Sequence, residues 1–208
     1  MTTKPKNTTR KTTIKQATIP PKKGSAKTTL ELPPNPFAFE VLTLTSKQRT
    51  KAKKVEVLRK YEHDSLKALF IWNFDESVIS LLPPGEVPYS SMKDEQITTG
   101  TLSTKINQMV GTMEYFDTKS LGTAADLKKG KTTIRKEYQR FYNFCKGGND
   151  SLKGLRRETM FINMLEGLHP LDAEILCLVK DKNLEDKYKI TKEIVSEAYP
   201  DIKWGGRS

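Results

Sequence analysis

Four kinds of residue pattern in this sequence have the makings of chemistry, and the first is Gly130-Lys131-Thr132, which ends like a phosphate-binding loop. Such a loop needs a glycine five residues before Gly130, where the backbone turns tightly around the phosphate. Ala125 stands there, Gly122 comes too early, and no apolar strand leads in. The second pattern is paired carboxylates, at Asp75-Glu76, Asp94-Glu95 and Glu185-Asp186. Adjacent side chains diverge on a helix, and no third ligand or neighbouring base joins any pair, so a surface role is expected for all three. Asp172 and Glu174 flank a helix start, where negative charge complements the backbone dipole. The third is a small set of metal and nucleophile candidates. Cys145, Cys177, His63 and His169 are irregularly spaced, and no serine sits in a G-x-S-x-G context. The two cysteines read as buried free thiols, and both histidines read as helix-end residues. We therefore expect no catalytic residue, no metal and no cofactor. The protein should not be an enzyme.

The fourth pattern is basic, and it survives. Lys4, Lys6, Arg10, Lys11, Lys15, Lys22 and Lys23 crowd the first residues, and Lys51, Lys53 and Lys54 open a basic helix. Arg135, Lys136 and Arg140 form a third group, and Lys153, Arg156 and Arg157 a fourth. Positive side chains gathered on one surface bind phosphate and release counterions, which makes binding salt-sensitive. The net charge is +11, and residues 1–35 hold eight basic residues against Glu31 alone. A polyanion is the expected partner, with nucleic acid leading. An acidic protein face also fits a basic arm, and anionic lipid fits it less well. Tyr138, Phe141 and Tyr142 have the aromatic surface to stack on bases, but their spacing reads as core. No named nucleic-acid-binding motif appears, and KTTIK (11–15) and KTTIR (131–135) are too short a match to make a repeat.

These groups need elements to position them. The chain has 208 residues, of which 36% are hydrophobic, enough for one domain with a modest core behind a tail. No apolar run reaches the ~18 residues that span a bilayer, and no signal peptide opens the chain, so a soluble intracellular protein without a membrane partner is expected. Residues 1–36 are rich in Thr, Lys and Pro and are expected to form a disordered basic arm, with residues 37–208 forming a helical domain. Phe37, Phe39, Val41, Leu42 and Leu44 alternate with small or polar residues and predict a short extended segment. Thr45 or Ser46 caps a basic helix through Lys60. A break at His63-Asp64-Ser65 restarts a helix through Phe74, and a last turn runs through Val78 to Leu82. Residues 83–101 read as a long loop, Leu102 to Met113 as a helix, and 117–131 as a polar connection. Thr132 or Thr133 starts a helix with Tyr138, Phe141, Tyr142 and Cys145 on one face, ended by Gly147-Gly148.

The strongest helix signal is NDSLKGLRRETMFINMLEGLHPLDAEILCLVKD, from Asn149 to Asp181. Asn149, Asp150 or Ser151 can cap its start. Leu152, Leu155, Thr159, Ile162 and Leu165 recur at spacings of three and four, widened by Met160, Phe161, Met164 and Leu168. Gly167 and His169-Pro170 interrupt, and Pro170 suits the first turn of a second helix, whose Ala173 and Ile175 to Val179 are too apolar for water. The expected fold is mainly α, a compact multi-helix domain around this central helical hairpin. Residues 181–190 read as a charged link before a short helix through Ile194, Val195 and Ala198. Trp204 anchors the terminus and leaves 205–208 loose.

Three blocks carry a resemblance. LKALFIWNFDESVISLLPPGEVPY (66–89), RRETMFINMLEGLHPLDAEILCLVKDKNL (156–184) and YKITKEIVSEAYPDI (188–202) resemble an uncharacterised protein family of T4-like tailed bacteriophages, especially those of marine cyanobacteria. The resemblance covers about two thirds of the chain and implies phage origin and expression in a host bacterial cytoplasm, or a place in the virion. It brings no activity and no site residue. The long basic arm departs from the shorter members of that family. The leading reading is therefore a non-enzymatic phage accessory protein that binds nucleic acid in replication, transcription or mRNA handling. The alternatives are a virion structural protein whose arm contacts neighbouring subunits, and a protein that binds and redirects a host protein complex.

Overall fold

The computed structural model describes residues 31–89, 100–101 and 131–207. The arm lysines, the helix expected over Leu102 to Met113 and most of the 117–131 connection lie outside the described residues. The described chain is mainly helical. In order come α1 (Ala38–Ser46), α2 (Lys51–Lys60), α3 (Asp64–Phe74), β1 (Pro88–Tyr89), β2 (Gly100–Thr101), α4 (Ile134–Glu137) and a 3-10 helix (Tyr138–Phe144). α5 (Gly154–Gly167), α6 (Pro170–Lys180), α7 (Leu184–Tyr188) and α8 (Lys192–Ala198) complete it. The strands β1 and β2 form a two-residue antiparallel ladder. The packed unit begins at Glu31 rather than Phe37, because Leu32 and Pro36 are buried and the Leu32 N–H donates to the Tyr61 hydroxyl at 2.9 Å.

Helix α6 is the centre. His169 precedes it, accepting from the Leu171 N–H through Nδ1, and Pro170 fills the first turn where its missing N–H costs nothing. Ala173, Ile175, Leu176 and Val179 are fully buried, and α1, α3, α5 and α7 all pack against this helix. The expected hairpin with α5 is present, joined through Leu168-His169. A second centre is aromatic. Trp72 of α3 lies 5.2 Å from Phe141 and 5.9 Å from Phe144, nearly parallel to the latter, and Phe144 meets Phe161 edge-on at 5.2 Å. That cluster binds α3, the 3-10 helix and α5 into one core.

Several expectations are corrected. The segment from Phe37 is helical, not extended. Val41, Leu42, Leu44 and Thr45 are all buried, and a helix covered on every side shows no amphipathic phase to read. The Thr132 to Cys145 helix is mostly 3-10, where residues three apart stack. Phe141 and Phe144 therefore share the buried face and Tyr142 swings out to 55% exposure. Helix α5 starts at Gly154, not at Asn149 to Ser151, because Asn149 bonds Asn143 and Ser151 bonds Asn149 in a local turn that competes with helix. Leu155 of the expected stripe is 78% exposed, while Phe161, Met164, Leu165 and Leu168 are buried. Residues 78–82 form no helical turn. Leu81 N–H donates to Phe144 O at 2.8 Å and Lys146 N–H to Ile79 O at 2.9 Å, pairing that stretch with the end of the 3-10 helix. The charged 181–190 link contains α7, whose Leu184 and Tyr188 are buried and whose end is closed by Lys189 in the left-handed region at φ 52°.

The last residues are held as well. Asp75, which the carboxylate-pair reading put at the surface, is only 1% exposed. It accepts from the Gly205 N–H at 2.9 Å, from Ser77 through both N–H and hydroxyl, and from the Arg207 guanidinium. Trp204 remains half-buried under the Lys192 ammonium. Residues 205–207 are therefore fastened rather than loose.

Candidate nucleic-acid interface

The 3-10 helix and α5 enclose a cleft of about 320 Å³. Arg156, Thr159, Met160 and Asn163 recur at spacings of three, four and seven, so one face of α5 supplies one wall. Thr132, Glu137 and Arg140 supply the other. Residues three apart stack along this tight turn, so Arg140 Nη1 lies 3.0 Å from Glu137 Oε2. The other oxygen of Glu137 accepts from the Thr132 hydroxyl at 2.7 Å. Thr159 spends its hydroxyl on the Leu155 carbonyl. Arg156 and Asn163 have no hydrogen-bonding partner among the described residues, and both are exposed. Two arginines and an asparagine, the last without a side-chain partner among the described residues, thus line one opening together with Met160 and Met164.

The other basic residues fare differently. Arg157, read as an exposed phosphate ligand, is 6% exposed: its Nε donates to Asn143 O at 2.8 Å and its Nη2 to Asn149 O at 3.0 Å. It secures the turn before α5, with these donors committed inside the fold rather than on an exposed face. Lys51 pairs with Glu197 at 3.0 Å, and the Lys54 ammonium donates to Lys189 O. Arg59 donates to the carbonyls of Glu197 and Ala198. The basic face of α2 therefore docks α8, and of its predicted ligands only Lys53 stands clear. Arg135 is half-buried, and its Nε donates to Pro36 O at 3.4 Å beside a cavity of about 50 Å³ shared with Asp172. Burial lowers its pKa. Lys136 and Lys153 are exposed but do not line the cleft. Among the described residues of the predicted set, Arg140 and Arg156 alone line the cleft. Lys4, Lys6, Arg10, Lys11, Lys15, Lys22 and Lys23 lie outside the described residues.

The neighbouring arginines give a sharp contrast. Arg157→Ala leaves two carbonyls without their donors and opens space in the core, which should cost about 2–3 kcal/mol. Arg156→Ala, on the open face of the same turn, should change stability by less than ~0.5 kcal/mol. Urea unfolding of the two variants checks both values, and equal losses would refute the distinction.

A second cluster lies at the α1–α6 contact. Asp172 Oδ1 accepts from the Phe39 N–H at 3.0 Å, and Glu40 Oε2 accepts from the Phe37 N–H at 2.8 Å. Phe39 stacks on His169 at 4.7 Å. Asp172 Oδ2, Glu40 Oε1 and His169 Nε2 are buried with no partner among the described residues. Burial pushes Asp172 up to about 7 and holds His169 down at about 4, so the imidazole is neutral near neutral pH. Burial likewise raises the thiols of Cys145 and Cys177, to about 11 and about 12, which leaves both as protonated, unreactive groups. No group of three or more His, Cys, Asp or Glu among the described residues has the arrangement of a metal site. No described helix is long and apolar enough to cross a membrane.

Fold and cleft define a mainly helical domain with an arginine-flanked opening on one side. The chain belongs to a family of unknown function, DUF6433, whose sequence profile matches residues 41–118 and 118–186. No curated protein and no solved structure matches it.

Proposed function

We propose that this protein binds nucleic acid without catalysing a reaction on it, as an accessory protein of a tailed bacteriophage acting in the cytoplasm of a bacterial host. The observation that carries this reading is the cleft in which Arg140 and Arg156 face a common opening, with the Arg156 guanidinium free of partners among the described residues. Guanidinium groups match phosphate oxygens in geometry and stay charged at every working pH. The charge balance of the chain supports it, since the eight basic residues in 1–35 add sequence-independent attraction for a polyanion. The phage setting rests on the sequence blocks at 66–89, 156–184 and 188–202.

The test is a salt titration of binding to labelled DNA and RNA, with the full chain and with a chain that begins at Glu31. Affinity of the full chain should fall by roughly a hundredfold or more between 50 and 200 mM salt. The shorter chain should bind more weakly and with a shallower slope. Absence of binding by the full chain at low salt would end this reading.

A further inference from the structure

We infer that the cleft between the 3-10 helix and α5 holds one unpaired nucleotide of a single strand, its phosphate on Arg140 and Arg156 and its base against Met160, within reach of Asn163. The inference rests on the nucleic-acid reading and narrows it. At about 320 Å³ the cleft is the size of the smaller pockets that take whole small molecules. A duplex is too wide to enter it. A single base with its sugar and phosphate is not.

The chemistry of the lining is sorted along α5. Arg156 comes first along this face of α5, Met160 one turn later, and Asn163 on the next. A phosphate at the Arg156 end places the attached base over the methionine, whose polarizable thioether packs on flat aromatic rings. Beyond it, the Asn163 amide offers both a donor and an acceptor, the pair needed to bond a base edge. Across the opening, Arg140 gives Nη1 to Glu137 and keeps its remaining N–H groups for the phosphate. Glu137 sets a limit on the opposite side. Its carboxylate faces Arg140 and Thr132, so an incoming phosphate is repelled from that corner and steered towards Arg156.

Fluorescence anisotropy with a short single-stranded DNA and with the same sequence as a duplex tests this, using the full chain and far-ultraviolet circular dichroism to confirm folding. The single strand should bind about tenfold more tightly than the duplex at equal salt. Arg156→Ala and Arg140→Ala should each weaken single-strand binding about tenfold and lower the salt slope by about one. Met160→Ala should weaken single-strand binding and leave duplex binding unchanged. Asn163→Ala should change the preference among homopolymers at constant salt slope. Equal affinity for strand and duplex, with Met160→Ala and Asn163→Ala both silent, would overturn the nucleotide pocket and leave general nucleic-acid binding standing. No binding to either probe would overturn both.

Discussion

Asp75→Ala should lower the stability of the fold by about 3–5 kcal/mol, the usual cost of removing one partner from a buried charged network. The carboxylate receives the Gly205 N–H, two bonds from Ser77 and the Arg207 guanidinium. Burial by itself would raise its pKa. Those donors outweigh burial and hold the group at about 2, below its ordinary 3.8. A depressed carboxylate stabilises the folded state above the unfolded pKa, and that contribution is lost as pH falls from about 4 through about 2. In a domain of this size the loss for Asp75→Ala corresponds to a drop in Tm of roughly 10 °C. Thermal unfolding at pH 7 measures it. Limited proteolysis supplies a second readout, since residues 205–207 should become cleavable in the variant before the core unfolds. A wild-type melting temperature in the variant would show that the network contributes nothing.

Asp172→Asn should act in the opposite direction along the pH axis. Burial raises the Asp172 carboxyl to about 7, against an ordinary value of 3.8. The folded chain therefore keeps a proton that the unfolded chain releases, and wild-type stability falls as pH rises from about 4 through about 7. His169 works against that slope, because its depressed pKa makes the folded state gain as pH rises through the same range. The variant cancels the histidine contribution, since both proteins carry it. Asparagine retains the oxygen that accepts the Phe39 N–H and has no charge to bury. The stability of Asp172→Asn relative to wild type should thus climb by about 4 kcal/mol between pH 4 and pH 8. Urea unfolding of the pair at several pH values checks this. A pH-independent difference would mean that Asp172 is already ionised in the folded state.

How much of this was legible in the residues depends on what surrounds each element. The hairpin of α5 and α6 and the break at His63 were legible, because proline, histidine and capping residues act locally. Helix α1 was not, since an element buried on all sides carries no period. Nor was the 3-10 helix, whose Tyr138-x-x-Phe141-x-x-Phe144 spacing sits beside an equally good α spacing through Tyr142 and Cys145. Long-range polar pairing is harder still. Nothing near Asp75 announces Arg207, and nothing beside Lys51 announces Glu197, so a buried clamp and a docking face looked like ordinary surface charge. Half of the cleft could have been found. Arg156, Met160 and Asn163 follow from α5 periodicity once its exposed side is known. The stripe placed Phe161, Met164, Leu165 and Leu168 correctly in the core but also took in Leu155, which is 78% exposed.

The docking of α8 on α2 also sets the order in which the chain can finish folding. The Arg59 to Ala198 bond closes 139 residues, and Gly205 to Asp75 closes 130. Contacts of such separation slow folding well below the rate of helical bundles built from neighbours. During synthesis at ~5–20 residues per second, α2 waits roughly 10 s for its partner helix to be made. In that interval the lysines later committed to Glu197 and Lys189 are free cations on an incomplete domain, beside the ribosome's own polyanionic surface.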